Sequence, residues 1–178
     1  MHIFLTGQVQ VGKSTLLHRV LAELPPLRLG GFRTVTAADV PGAVGSVYIF
    51  PAAGPDVPGD DCRVALRLGP PRGVEAYPAV FDHRGVELLE GAENADLICM
   101  DEIGFLEASA PAFSGRIAAL LDGDTPVFGV VRGSRETPLL RFVRTHPKVH
   151  LIEVTEENRE RLLPEVTALL RQALSLSL

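Results

Sequence analysis

The residues that could do chemistry gather first in Gly7-Gln8-Val9-Gln10-Val11-Gly12-Lys13-Ser14, followed by Thr15. This is a complete G-x-x-x-x-G-K-S spacing. The backbone N–H groups of such a loop wrap nucleotide phosphates, the lysine reaches the terminal phosphates, and the serine hydroxyl takes a place on Mg2+. Glycine lets the chain turn with positive φ and approach a phosphate with no Cβ in the way. A helix leaving the loop adds the positive end of its dipole. Gly7 through Thr15 is therefore the expected phosphate-binding segment, with Lys13 also acting on the reacting phosphate.

A second group sits at Leu97-Ile98-Cys99-Met100-Asp101-Glu102. Four apolar residues ending in two acids read as a buried strand that delivers Asp101 at its carboxyl end. There it would meet the Mg2+ shell or the Ser14 hydroxyl, making Ser14 and Asp101 the expected metal-site pair. Glu102 lies next in line and could orient or deprotonate an attacking water. The other reading of Glu102 is a solvated loop acid, or a partner for a base on a neighbouring helix.

Weaker candidates follow. Arg33 could reach the terminal phosphate or could be a strand arginine facing water. Arg132, in Arg132-Gly133-Ser134-Arg135 after an apolar run, could sense phosphate or lie on a surface loop. Asn158 and Arg159 could contact the base or ribose, or could serve only local backbone groups. Arg141 and Arg144 read as a solvated helix face, and His83 and His146 as surface residues. None of the five histidines is paired at ligand spacing.

The elements that must position these groups alternate. Residues 2–6 read as a strand and 13–24 as a helix, with Leu16, Leu17, Val20, Leu21 and Leu24 on one face. Pro25-Pro26 stops it. Gly30-Gly31 precedes a strand-like Phe32 to Thr36, and Ser46 to Phe50 returns after the Pro41-Gly42 turn. Arg63 to Leu68 alternates as a half-exposed strand. Residues 28–75 thus look like antiparallel strands inserted into an α/β pattern. A helix over 83–92, the strand 97–101, a helix over 110–122, a strand over 126–131, a helix from Thr137-Pro138 and a strand over 149–154 resume it. Thr155 is expected to cap a last helix that Pro164 interrupts or restarts.

Composition narrows the class. A chain of 178 residues with 46% hydrophobic and 22% charged residues is ordinary for one globular domain spanning 1–178. The formal charge of −5 argues against general nucleic-acid affinity, which needs excess lysine and arginine. Cys62 and Cys99 have neither metal nor disulfide-framework spacing. No run is long enough for a membrane span, and the N-terminal apolar stretch is too short for a signal peptide. A cytoplasmic enzyme is the expectation, with a monomer favoured.

Three segments carry a resemblance. Asp101-Glu102-Ile103-Gly104-Phe105-Leu106-Glu107 resembles the D-E-I-G-K-M-E signature of the small, or cancer-related, nucleoside-triphosphatases. Gly31-Phe32-Arg33-Thr34 resembles that family's G-F-Y-T, and Val154-Thr155-Glu156-Glu157-Asn158-Arg159 its V-T-x-E-N-R, in the same order. The departures are Val9-Gln10 for Pro-Gly in the loop, Phe105 for the signature lysine, and the absence of an Arg- and Gly-rich hairpin after Thr34.

The resemblance implies a P-loop NTPase of α/β class. Its three layers would hold a parallel-core sheet of the additional-strand, RecA-like type, with an antiparallel β insertion. It also implies Mg2+-dependent hydrolysis of ATP, GTP and other nucleoside triphosphates to diphosphate and phosphate. The alternatives are a nucleotide or small-molecule kinase, and a nucleotide-binding accessory protein of low turnover.

Overall fold

The computed structural model describes residues 1–175. Its centre is one eight-stranded sheet in the order β5-β4-β3-β2-β6-β7-β1-β8. The strands are β1 (His2–Thr6), β2 (Leu29–Ala37), β3 (Gly45–Pro51), β4 (Arg63–Gly69), β5 (Gly73–Ala76), β6 (Leu97–Ile103), β7 (Val127–Val131) and β8 (Val149–Glu153). Five of them, β2, β6, β7, β1 and β8, run parallel, and β3, β4 and β5 extend the sheet in antiparallel fashion. β7 lies between β1 and β6, so the loop after β1 and the end of β6 open on the same edge, one strand apart.

Helices cover both faces, as a mostly parallel sheet requires. On one face α1 (Lys13–Ala22) and α6 (Arg159–Ala173) bury Leu16, Leu17, Val20, Leu162, Val166 and Leu170 over Ile3, Leu5, Leu97 and Val130. On the other, α4 (Pro111–Asp122) and α5 (Pro138–Thr145) bury Phe113, Ile117, Leu120, Leu140 and Val143 over Phe4, Phe32, Ile98 and Met100. Thr137 caps α5, its hydroxyl accepting from Leu140 N at 3.2 Å. Among the described residues no helix is long and apolar enough to cross a membrane.

Several expectations need correcting. Gly30-Gly31 does not precede β2 but lies inside it. A Cβ on Gly31 (φ +96°) would stand 2.0 Å from Cys99 O, so the glycine is what lets β6 pass this close. β2 pairs in parallel with β6 and so belongs to the core; only β3 to β5 are the antiparallel addition. β5, four mostly exposed residues without alternation, was not expected. The helical stretch begins earlier than residue 83, as α2 (Pro78–Val80), a π-helical Phe81–Gly85 and α3 (Val86–Leu89). The wider π turn breaks the 3.6-residue period.

Pro164 does not interrupt α6. It sits six residues into the helix on the solvent side, where the exposed Glu160 carbonyl it leaves without a donor can take water. Thr155 starts a turn instead of capping the helix, and its hydroxyl accepts from Asn158 N at 3.3 Å. His146 is buried, with Nε2 3.2 Å from Asp122 Oδ1.

The Gly31 contact yields a test by denaturant unfolding. Gly31→Ala should lose at least about 4 kcal/mol of stability, because strain and overlap with Cys99 O add. Gly42→Ala has the same positive-φ problem with nothing within 4 Å, and should lose only about 1 to 2 kcal/mol. Equal losses would show that the close approach of β2 and β6 is not what Gly31 provides.

Candidate active site

The loop between β1 and α1 is shaped by backbone positions that few side chains tolerate. Gly7 has φ +138°, and a Cβ there would lie 2.3 Å from Val154 O. Gly12, at φ +95°, turns the chain into α1, whose first bond runs from Leu16 N to Gly12 O at 2.9 Å. Gln10 has φ 68°, the left-handed region, at the position where the resembled family has glycine. A side chain there costs about 1 to 2 kcal/mol, which the loop bears without losing its course. Val11 points inward as part of the core, so only its backbone faces the loop. Gln8, Val9 and Thr15 are exposed.

Lys13 is almost fully buried and folds back over the loop. Its Nζ donates to Gln8 O at 2.6 Å and to Gly7 O at 3.2 Å. Burial lowers the pKa of this ammonium, Glu102 raises it, Arg132 lowers it and Asp101 raises it. Ser14 Oγ donates to Asp101 Oδ1 at 2.7 Å. Asp101 is 4% exposed and its carboxyl titrates above the ordinary value, chiefly through burial, against the Ser14 hydrogen bond. The exposed His18 places Nε2 3.6 Å from Asp101 Oδ2.

The Ser14–Asp101 pair fits Mg2+. Both offer hard oxygen donors, and a buried carboxylate whose burial raises its pKa is one that a divalent cation would stabilise in its charged form. Among the described residues no group of three or more His, Cys, Asp or Glu could hold a metal. A cation here would therefore complete its shell with water and phosphate oxygens, as Mg2+ commonly does.

Glu102 does not stand free. Its Oε1 accepts from Arg132 Nε at 2.7 Å, and its backbone N–H reaches Thr34 Oγ1 at 3.4 Å. Phe105, in place of the family lysine, is a platform for two cations. The Arg132 guanidinium lies 5.5 Å from its ring centroid and that of Arg135 4.1 Å. Arg144 donates to Arg132 O, and Arg141 and Arg144 both bind Glu136, at 3.1 and 2.8 Å. These two brace the segment after β7.

Two candidates are occupied elsewhere. Arg33 stands opposite Asp101 in register, but it pairs with Asp56 and donates to Gly54 O at 3.2 Å, pinning the loop after β3. Asn158 spends both ends of its amide locally: Oδ1 accepts from Thr155 N at 2.8 Å and Nδ2 donates to Glu153 O at 2.9 Å. Its neighbour Arg159 is the one beside the loop, with Nη1 3.5 Å from where a Gly12 Cβ would be.

Glu107 was given no role from sequence. It is 2% exposed, its Oε2 accepts from Gly104 N at 3.1 Å, and burial pushes its carboxyl up to about 7. The available signal was its place in the signature, three residues after Gly104, where it can fold back on the chain that follows Glu102. These groups line one end of a cleft of about 570 Å³ that continues over β2 to β5.

The sequence profile of a family described as NTPase matches residues 68–167. The nucleoside-triphosphatase THEP1 of Methanosarcina barkeri is 28% identical over 91% of this chain and 92% of its own length. That of Methanocaldococcus jannaschii is 28% identical over 93% and 95%. The cancer-related nucleoside-triphosphatase homolog of Bos taurus is 28% identical over 93% and 94%. Among solved structures, THEP1 from Aquifex aeolicus superposes with a TM-score of 0.72 at 23% identity, over 96% of this chain and 99% of that one. The solution structure of a human cancer-related nucleoside triphosphatase gives 0.64 at 22% identity, over 96% and 97%. At these identities the two structures establish the shared fold.

Glu107 predicts a pH dependence of stability. Unfolded, its carboxyl titrates near 4.5; folded, near about 7. Between these values the folded chain binds more protons, so this group's contribution is most favourable below 4.5, falls as pH rises toward 7, and is flat above. Glu107→Gln cannot titrate. Denaturant unfolding from pH 4 to 8 should show the parent losing up to about 3 kcal/mol relative to the variant across that window. A difference independent of pH would mean that Glu107 is not held protonated by the fold.

Proposed function

The chain belongs to the NTPase family, and from that premise we propose that it hydrolyses nucleoside triphosphates, ATP and GTP among them, to diphosphate and phosphate with Mg2+. The single observation that supports this most is the 2.7 Å contact between Ser14 Oγ and Asp101 Oδ1. It joins the phosphate loop to the strand that also supplies Glu102.

In this reading the N–H groups of residues 7 to 15 hold the α- and β-phosphates. Lys13 exchanges its loop carbonyls for oxygens of the β- and γ-phosphates, where its charge offsets what develops in transfer. Ser14 and Asp101 would hold Mg2+, which would neutralise phosphate charge when bound. Glu102 accepts a hydrogen bond from the attacking water and takes its proton, the water oxygen bonds to the γ-phosphorus, and the β–γ bridging bond breaks. Arg132 links binding to this step. Paired with Glu102, it ties up the base; drawn to a γ-phosphate, a doubly charged acceptor that suits its fork, it frees the carboxylate. Hydrolysis is thereby withheld until a triphosphate is in place.

Two variants test this by phosphate release and by binding of a non-hydrolysable ATP analogue. Glu102→Gln should bind the analogue with Mg2+ as the parent does and turn over roughly 10²- to 10⁴-fold more slowly. Arg132→Ala should slow turnover roughly 10²- to 10³-fold, as loss of one charge-stabilising contact does. Unchanged turnover in Glu102→Gln would remove Glu102 from the reaction and favour an attacking group other than water.

A further inference from the structure

The proposed hydrolysis uses one end of the cleft and leaves most of it unexplained. Register places a row of side chains on one sheet face: Thr34 and Thr36 on β2, Val47 on β3, Arg67 on β4 and Val74 on β5. Thr36 pairs with Val47 and Arg67 with Val74. All five line the cleft, and Phe81 and Leu106 face them from the helical side. Water attack on a phosphate needs none of this surface.

In the proposed reaction the cleft adjoins the terminal phosphate. It shares Ser14, Asp101, Glu102 and Arg132 with the site, the groups that face the β- and γ-phosphates. A triphosphate held in the proposed way therefore points its γ-phosphate into the cleft.

The charges are distributed unevenly. Near the loop, Glu102 is paired with Arg132, and Asp101 is bonded to Ser14. At the far end Arg67 is exposed, and among the described residues its side chain makes no hydrogen bond or ion pair. No acid stands opposite it, because its register partner is Val74. Between the two ends are two threonine hydroxyls and an apolar wall. Three strand spacings, about 14 Å, separate β4 from β6. A volume of 570 Å³ lies within the range that holds a small organic ligand.

We propose that this part of the cleft binds a second molecule, a phosphomonoester of nucleoside-monophosphate size. Arg67 takes its phosphate, and its body lies over Thr34, Thr36 and Val47 toward the phosphate loop. The arginine fork matches a phosphate in bidentate fashion, and a phosphomonoester brings close to two negative charges at neutral pH. The apolar wall of Val47, Val74, Phe81 and Leu106 suits a base or another flat body, and the threonine hydroxyls suit a sugar. The proposal rests on the reading that the loop holds a triphosphate with its terminal phosphate toward Asp101.

The test first fills the loop with Mg2+ and a non-hydrolysable ATP analogue. Failure of the analogue to bind would count against the proposed function itself. The filled protein is then titrated with AMP, GMP, CMP and UMP to about 10 mM and followed by amide chemical shifts. Saturable shifts at Thr34, Thr36, Arg67 and Val74 are expected with at least one of the four. Arg67→Gln and Val74→Asp should each weaken that binding roughly tenfold or more with the analogue's own affinity unchanged. The corresponding nucleoside, without its phosphate, should bind as weakly to the parent as the monophosphate does to Arg67→Gln.

Three results would overturn the proposal. One is no shift at these residues with any of the four monophosphates. Another is equal binding by parent and Arg67→Gln. The third is that the analogue alone shifts Thr36, Arg67 and Val74 and is displaced by monophosphate, which would assign the cleft to the loop-bound nucleotide's own base.

Discussion

One hydrogen bond, from the Ser14 hydroxyl to the Asp101 carboxylate, is the contact on which the arrangement of the site depends. It joins the first turn of α1 to the end of β6, two elements 87 residues apart in sequence. It forms because β1 and β6 run parallel with a single strand between them, so that the loop after one and the acid near the end of the other share an edge. The order β6-β7-β1 sets this spacing. The glycines do the rest locally: Gly7 fits under Val154 O, Gly12 turns into α1, and Gly31 admits β6 beside β2.

Around that contact the site holds more charge than a protein interior accommodates without help. Lys13 is buried on its own loop carbonyls, Asp101 on a hydroxyl, Glu102 on Arg132, and Glu107 on the Gly104 amide. Each arrangement is a local settlement that an incoming polyphosphate and its cation could improve. In the proposed reaction Lys13 and Arg132 would gain better acceptors and Asp101 positive charge, while Glu102 would be left available. Phe105 fits the same scheme, since two arginines rest on its ring where the resembled family has a lysine of its own.

Much of this was legible in the sequence. Four of the five parallel strands, β1, β6, β7 and β8, follow from apolar runs, while β2 reads as part of an antiparallel insertion; the loop spacing and Asp101-Glu102 pick out the two segments that the Ser14–Asp101 contact joins. What was not legible depended on tertiary contacts. Gly30-Gly31 reads as a breaker because the sequence does not show Cys99 O approaching from β6. The π turn at Phe81–Gly85 hides a helix by breaking its period. β5 has no pattern of its own and exists through pairing with β4. Arg33 and Asn158 have the right chemistry near the site, but Asp56 and the turn at Thr155 take their hydrogen bonds. Glu107 needed its burial to be known before it stood out.

The central claim is that Ser14 and Asp101 act as one cation site. It is tested most directly by turnover against Mg2+ concentration in the parent, Ser14→Ala, Asp101→Asn and the double variant. Two residues sharing one ion are not independent. Each single change should therefore raise the Mg2+ needed for half-maximal phosphate release by roughly tenfold or more, and the double variant should need little more than the worse single. Curves that coincide with the parent's, or losses in the two singles that multiply in the double, would contradict the account.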